Sequence, residues 1–250
     1  MVVSISKIRL LKYWEVYAND VLPWLQGRPI TIEQVFDGKV IYRRYEDKTK
    51  TQLVHINSTE DILKWAYRHT YSFHPYICHD KQTAPCWYVL DIDPEPSVDF
   101  EVTKKITSKT VTQLKKILSG FEVTTAFCGK NGFHLFAITK WTHKELFEES
   151  KNISLELVKS VYKDALNLGV QIDLTSKEEQ QHLQEWLKNR SISQTGSLPR
   201  IHFDTRILHR FGNIRSPYSI HPVTGLSSVI VADNQILSFK IDDARLIERI

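Results

Sequence analysis

The segment Cys86-Trp87-Tyr88-Val89-Leu90 is an unbroken apolar run that ends in Asp91-Ile92-Asp93-Pro94. Such a run, bounded by proline, reads as a buried strand over 86–92 that stops where Pro94 removes a backbone donor. Side chains alternate along a strand, so Asp91 and Asp93 share one face while Ile92 turns into packing. Two carboxylates a few ångströms apart repel, and the arrangement is tolerated only with a cation, a proton or water between them. All-oxygen ligands of this kind suit a divalent ion such as Mg²⁺ or Mn²⁺. Taken alone, the pattern equally describes two solvated acids at a strand end.

The chain has 250 residues, 42% of them hydrophobic in type, which suffices for one large domain or two intimate lobes with a real core. Thirty-three basic residues face 29 acidic ones, and the net charge of +4 leans only weakly towards polyanions. Cys78, Cys86 and Cys128 are too few and too scattered for a disulfide framework, so a reducing compartment is the simpler expectation. Cys78-His79 with Cys86 lacks the paired spacing of a structural zinc site, and no zinc is expected. No stretch reaches the ~20 apolar residues of a membrane helix, and Lys7 and Arg9 interrupt the apolar N-terminus, which has no cleavage signal. The expectation is a soluble, intracellular, cytoplasmic protein without membrane contact. The most linker-like stretch, 191–197, reads as a loop inside the fold.

Helical spacing of Ile8, Leu11, Trp14, Tyr17 and Val21 predicts an opening helix to about Pro23. Asp37-Gly38 between apolar runs predicts a hairpin of strands over 30–36 and 39–45. A strand over 52–56, a helix capped by Ser58 and a strand over 72–77 follow. Beyond 92 come a helix closing at Gly120, strands over 121–127 and 133–138, and a long helix opened by the Thr142/Glu145 capping box. A strand over 170–174, a helix opened by Ser176/Glu179, strands over 200–204 and 227–231 and a last helix over 242–250 complete the pattern. This is an α+β arrangement, not a regular βαβ wheel, and it contains neither G-x-G-x-x-G nor a P-loop.

Three segments look like edges of an active site. They are Asp91-Ile92-Asp93, the turn from Gly129 to His134, and Ile201-His202-Phe203-Asp204 with the following Arg215 to His221. Asp204 ends an apolar strand as Asp93 does and could supply a third carboxylate; Asp173, at another strand end, competes for that place. Three carboxylates around two divalent ions are the layout for in-line attack on phosphorus. His134, Arg215, Ser219 and His221 are residue types that hold a triphosphate. Singly, His134 also fits a core histidine, Arg215 a surface cation and Pro217-Tyr218-Ser219 a turn. The aromatic residues fit base stacking and core packing alike.

The ordered set "WYVLDIDP", "CGKNGFHLF", "RIHFD" and "RSPYSIHPVTGL" resembles the three motifs of the archaeo-eukaryotic primase superfamily. With "LPWLQGRPITIEQVFDGKVIYRR" and "SFHPY", the chain is similar over almost its whole length to the polymerase domain of ligase D end-joining proteins. The resemblance implies a primase-like catalytic fold of two intimately packed α/β lobes with mixed and antiparallel sheets, one domain over 1–250. An N-terminal lobe would cover about 1–85 and an RRM-like catalytic lobe 86–250. It implies that Asp91, Asp93 and Asp204 bind two Mn²⁺ or Mg²⁺ ions, and that His134, Arg215, Ser219 and His221 hold the incoming NTP or dNTP. Arg44, with Arg43 beside it, sits where that family carries a lysine gripping the 5′-phosphate of a broken end.

The activity implied is nucleotide addition to DNA primer ends, ribonucleotides preferred, in filling gaps and processing ends for non-homologous end joining. The setting implied is a prokaryotic nucleoid, with Ku and a DNA ligase as separate partner proteins. Cys128 departs from the serine usual in the second motif. The third motif, with Val223 where a lysine is frequent, stands nearer the replicative primase small subunit, whose zinc-knob cysteines are missing here. A replicative primase catalytic subunit, a nucleotide-sugar transferase and a non-catalytic nucleic-acid binding module are the competing readings.

Overall fold

The computed structural model describes residues 2–79, 84–192 and 196–250. Of the loop expected over 191–197, residues 193–195 lie outside the described residues. Helix α1 (Lys7–Leu25) starts at Ser6, whose hydroxyl accepts the Arg9 amide, and buries Leu10, Tyr13, Trp14, Ala18, Val21 and Leu25 along one stripe. It runs two residues past Pro23, and the Gln26 amide closes the last turn on the Leu22 carbonyl.

Strands β1 (Ile30–Phe36) and β2 (Lys39–Arg43) form the expected hairpin. Asp37 and Gly38 both take positive φ, 48° and 71°, as a two-residue turn matched to strand twist requires. After helix α2 (Thr59–Ala66), opened by a reciprocal Ser58–Asp61 capping box, β3 (Thr70–Pro75) pairs antiparallel on the other side of β1. The sheet order is β2-β1-β3, with α1 and α2 on one face.

A second sheet has the order β7-β8-β4-β6-β5-β9. Its strands are β4 (Trp87–Pro94), β5 (Glu122–Phe127), β6 (Phe133–Ile138), β7 (Gln171–Leu174), β8 (Arg200–Asp204) and β9 (Val229–Ile230). Only β7 and β8 pair in parallel, so the sheet is mixed. Helices α3 (Phe100–Ile117), α4 (His143–Asn167) and α5 (Lys177–Asn189) pack beside it. The Tyr88 and Ser154 hydroxyls, 3.0 Å apart, join β4 to α4 and mark the helix-covered face. The opposite face carries Trp87, Val89, Asp91 and Asp93, and its lower part packs against Trp24 at the end of α1.

The chain then returns to the first sheet. The amides of Ile214, Ser216 and Ile220 bond to the carbonyls of Pro75, Phe73 and Tyr71, so segment 213–220 runs along β3. Ile220, Leu246 and Ile247 complete the N-terminal core. The Tyr13 hydroxyl donates to the Tyr218 carbonyl at 2.6 Å.

Several expectations change. Segment 52–56 forms only isolated bridges, Tyr45↔Leu53 and Pro29↔His55, because its flanks hold a single pairing each. The helix over 242–250 is two 3-10 turns, Ile241–Ala244 and Leu246–Arg249, and the strand over 227–231 shortens to Val229–Ile230. Pro94 stays within β4, since pairing to β6 has ended at Ile92 and only β8 continues, opposite Ile201. Glu179 closes no capping box; it accepts the Thr205 hydroxyl at 2.5 Å. Cys78 and Cys86, expected unpaired, form a disulfide, because the Trp87 amide bonds the Ile77 carbonyl and brings both chain ends together. Among the described residues no helix is long and apolar enough to cross a membrane.

Candidate active site

The strand register assembles the acids. Asp91 stands between His134 of β6 on one side and Asp204 of β8 on the other. Asp93 lies two residues along β4 on the same face, opposite His202. Directly opposed residues on neighbouring strands sit about 4.5–5.5 Å apart. Burial, then the charges of Asp93 and Asp204, push the Asp91 carboxyl up to about 7. The site therefore disfavours three bare carboxylates, and a bound cation is one way to relieve them. The donor set, oxygen from three carboxylates, fits Mg²⁺ or Mn²⁺.

Asp204 is tied down: Oδ1 accepts the Thr175 hydroxyl at 2.6 Å, and Arg206 reaches Oδ2 through Nη2 at 2.7 Å. Burial raises its carboxyl, but the bonds from Arg206 and Thr175 outweigh that and hold it below the usual range. Among the described residues no three His, Cys, Asp or Glu side chains are drawn into one metal-ligand cluster. Asp173 faces His202 from β7, one strand beyond β8, and is occupied by Arg200 at 3.2 Å and Gln180 at 3.2 Å. It does not meet Asp91.

His134 is buried, with Nε2 3.5 Å from Asp91 Oδ1 and Nδ1 without a hydrogen-bond partner. Burial, then the positive charge of Arg215, lowers it to about 3, so the ring is neutral. Arg215 reaches Ser72 Oγ at 3.1 Å, Glu33 Oε2 at 3.0 Å and the Cys128 carbonyl at 3.4 Å, joining the first sheet to the β5–β6 turn. Burial, then Arg215, also lowers His221, to about 4. Its Nδ1 accepts the amides of Val223 at 3.2 Å and Thr224 at 3.4 Å, which leaves Nε2 as the N–H donor.

Gly129, at φ 86°, lets the β5–β6 turn press against this segment: a Cβ there would stand 3.0 Å from His221 Cβ and 3.1 Å from the Leu226 carbonyl. Thr224 clamps the same contact by donating to the Gly129 carbonyl at 2.5 Å. Lys130, exposed on that turn, acts electrostatically on both Asp91 and His221. The Cys128 thiol stays inside the turn, accepting the Gly132 amide at 3.2 Å.

Ser219 is not presented to this face. It is fully buried, its hydroxyl accepting the Phe73 amide at 3.0 Å and meeting Ser216 at 3.0 Å. Arg43 and Arg44 line a hollow of about 250 Å³ with Tyr42, Tyr45, Lys48, Lys50, Ile41 and one acid, Asp47; none of the three site acids lines it. Sequence reasoning missed Glu33, Ser72, His74 and Thr175. Glu33 left a signal, a lone carboxylate inside an apolar strand; Ser72 and His74 lie in the segment "SFHPY" that carries the resemblance but were given no role there, and Thr175 left no signal.

The fold that holds this site is that of a polymerase domain. The structure matches the "Polymerase Domain from Mycobacterium tuberculosis Ligase D in complex with DNA" with a TM-score of 0.72 at 15% identity, covering 98% of this chain and 88% of that one. Residues 6–184 match the family described as "LigD, primase-polymerase domain", and the chain belongs to that family. The matched residues include Asp91, Asp93 and His134 but stop short of Asp204 and Arg215. Comparison with curated proteins finds no match.

Proposed function

We propose that this protein is a nucleotidyltransferase that adds nucleotides, ribonucleotides by preference, to DNA primer ends in the gap-filling step of end joining. Family membership supports the nucleotidyltransferase class, and the opposition of Asp91 and Asp204 across β4 and β8 is the observation that carries the assignment of the site. Asp91, Asp93 and Asp204 would hold two divalent ions, Mn²⁺ or Mg²⁺. Bound there, these ions supply charge neutralisation and activation of the primer hydroxyl.

The remaining work falls to the chain itself. Neutral His134 occupies the floor beside Asp91 without adding charge. Arg215 and the Nε2–H of His221 would hold the triphosphate, and Lys130 adds an exposed cation close enough to act on both Asp91 and His221. Arg44 and Arg43, in their separate basic hollow, suit the 5′-phosphate on the far side of a gap. DNA with gaps or broken ends would be the substrate, and a Ku protein and a DNA ligase activity the working partners.

The test is extension of a primer across a short gap, with and without a downstream 5′-phosphate, in Mn²⁺ or Mg²⁺ and with either nucleotide type. We expect metal-dependent extension, faster with ribonucleotides and about tenfold stronger with the phosphate, a preference that Arg44→Ala erases. Efficient dinucleotide synthesis without any primer would point instead to a replicative primase, and metal-independent DNA binding without extension to a binding module.

A further inference from the structure

We propose that Glu33 is a positioning residue for the incoming nucleotide: it fixes the Arg215 guanidinium in advance, so that the two N–H groups left over meet the triphosphate. The inference rests on the polymerase reading above. Glu33 pairs with Tyr42 of β2 on one side and Ser72 of β3 on the other, so three side chains form one row across the first sheet. The register slips immediately after it, between Glu33 and Gln34, an irregularity of the kind that re-aims a side chain.

Glu33 is 1% exposed, yet its carboxylate is fully engaged. Oε1 accepts the Tyr42 hydroxyl at 2.8 Å; Oε2 accepts Arg215 Nη2 at 3.0 Å and His74 Nε2 at 3.1 Å. Burial raises the carboxyl, but the His74 bond and the Arg215 charge outweigh it, so Glu33 is ionised throughout the working range. Arg215 spends Nε–H on Ser72, one Nη1–H on the Cys128 carbonyl and one Nη2–H on Glu33. Of the five donors of a guanidinium, one on each terminal nitrogen remains, a fork suited to two phosphate oxygens.

Packing alone gives no reason for a carboxylate here, since an apolar residue of similar volume is as stable in a strand interior as a buried ion pair. What the carboxylate adds is orientation. A guanidinium held by both sheets before the nucleotide arrives need not be ordered on binding. Glu33 also offsets the Arg215 charge, and this gives the test its sign. Were charge the dominant effect, removing it would tighten nucleotide binding; were orientation dominant, removal would weaken it.

The experiment is steady-state extension of a recessed primer by a template-matched nucleotide, with primer-template affinity and melting temperature measured alongside. Glu33→Gln is expected to raise the nucleotide KM by about tenfold, with kcat within about twofold and DNA affinity unchanged. Tyr42→Phe, which removes one anchor of the carboxylate at a surface position, is expected to raise KM about threefold without lowering the melting temperature. In the Arg215→Lys background, Glu33→Gln should add nothing further. An unchanged or lower KM in Glu33→Gln overturns the inference, as does a rise in KM accompanied by falls in kcat and DNA affinity in step with lost thermal stability. If Glu33→Gln does not fold, Tyr42→Phe decides by the same readout. A parent protein that extends no primer removes the polymerase reading and this inference together; an active parent with insensitive variants removes Glu33 alone.

Discussion

The buried carboxylate of Glu33 and the ring of His74 make the sheet next to the site sensitive to acid. The Glu33 carboxyl is held well below its ordinary value, so its stabilisation is complete above ~4.3 and drains away as pH falls below that. His74 is lowered chiefly by burial, so the folded state keeps it neutral while the unfolded chain takes up a proton from ~6.5 downwards. Both signs agree: stability rises with pH through the two windows. Read by denaturant unfolding, the parent should lose on the order of 2 kcal/mol more stability than Glu33→Gln as pH falls from ~4.3 to ~3, the difference isolating Glu33 from other groups such as Asp91 that titrate with the opposite sign. An equal slope in parent and variant would show that Glu33 does not couple to folding. At this scale the sequence was generous with Asp91, Asp93 and Asp204, because a carboxylate closing an apolar run is visible in one dimension. It was silent about the roles of Ser72 and Thr175, which depend on partners 143 and 29 residues away.

Elements were legible where a local rule sufficed. Asp37-Gly38 specifies its turn through backbone freedom, and Ser58 and Thr142 specify helix starts through side-chain caps. They were misread where neighbours decide. Segment 52–56 has strand chemistry but only one pairing partner at each flank, and 242–250 has helical spacing but closes in 3-10 turns. Of the three ligands the sequence suggests in the third motif, Arg215, Ser219 and His221, Ser219 is instead spent, with Ser216 and Ile220, on holding the segment to β3. Gly129 tests how far the site depends on this element-to-element contact. Gly129→Ala places a Cβ at positive φ against His221, and should destabilise by about 1–3 kcal/mol and raise the nucleotide KM. Unfolding curves and kinetics on the same sample check it; an unaltered KM would mean that the turn and the His221 segment need not touch.

At the scale of the whole molecule, one strip of chain, 213–221, hydrogen-bonds along β3 of the first sheet and reaches the β5–β6 turn of the second through Arg215. That return was not legible, since nothing local to Arg215 announces that its partners lie on β1 and β3. The α+β class and the kinship with primase-polymerase domains were legible, because several short motifs stand in a recognisable order along the chain, and residues 6–184 match that family. The central claim is that acids distant in sequence bind the same pair of ions. It is tested most directly by titrating Mn²⁺ into the protein and following free Mn²⁺ by electron paramagnetic resonance. The parent should take up two ions, and Asp91→Asn and Asp204→Asn should each weaken that uptake by at least tenfold while remaining folded. Parent-like Mn²⁺ uptake in folded Asp204→Asn would contradict the claim.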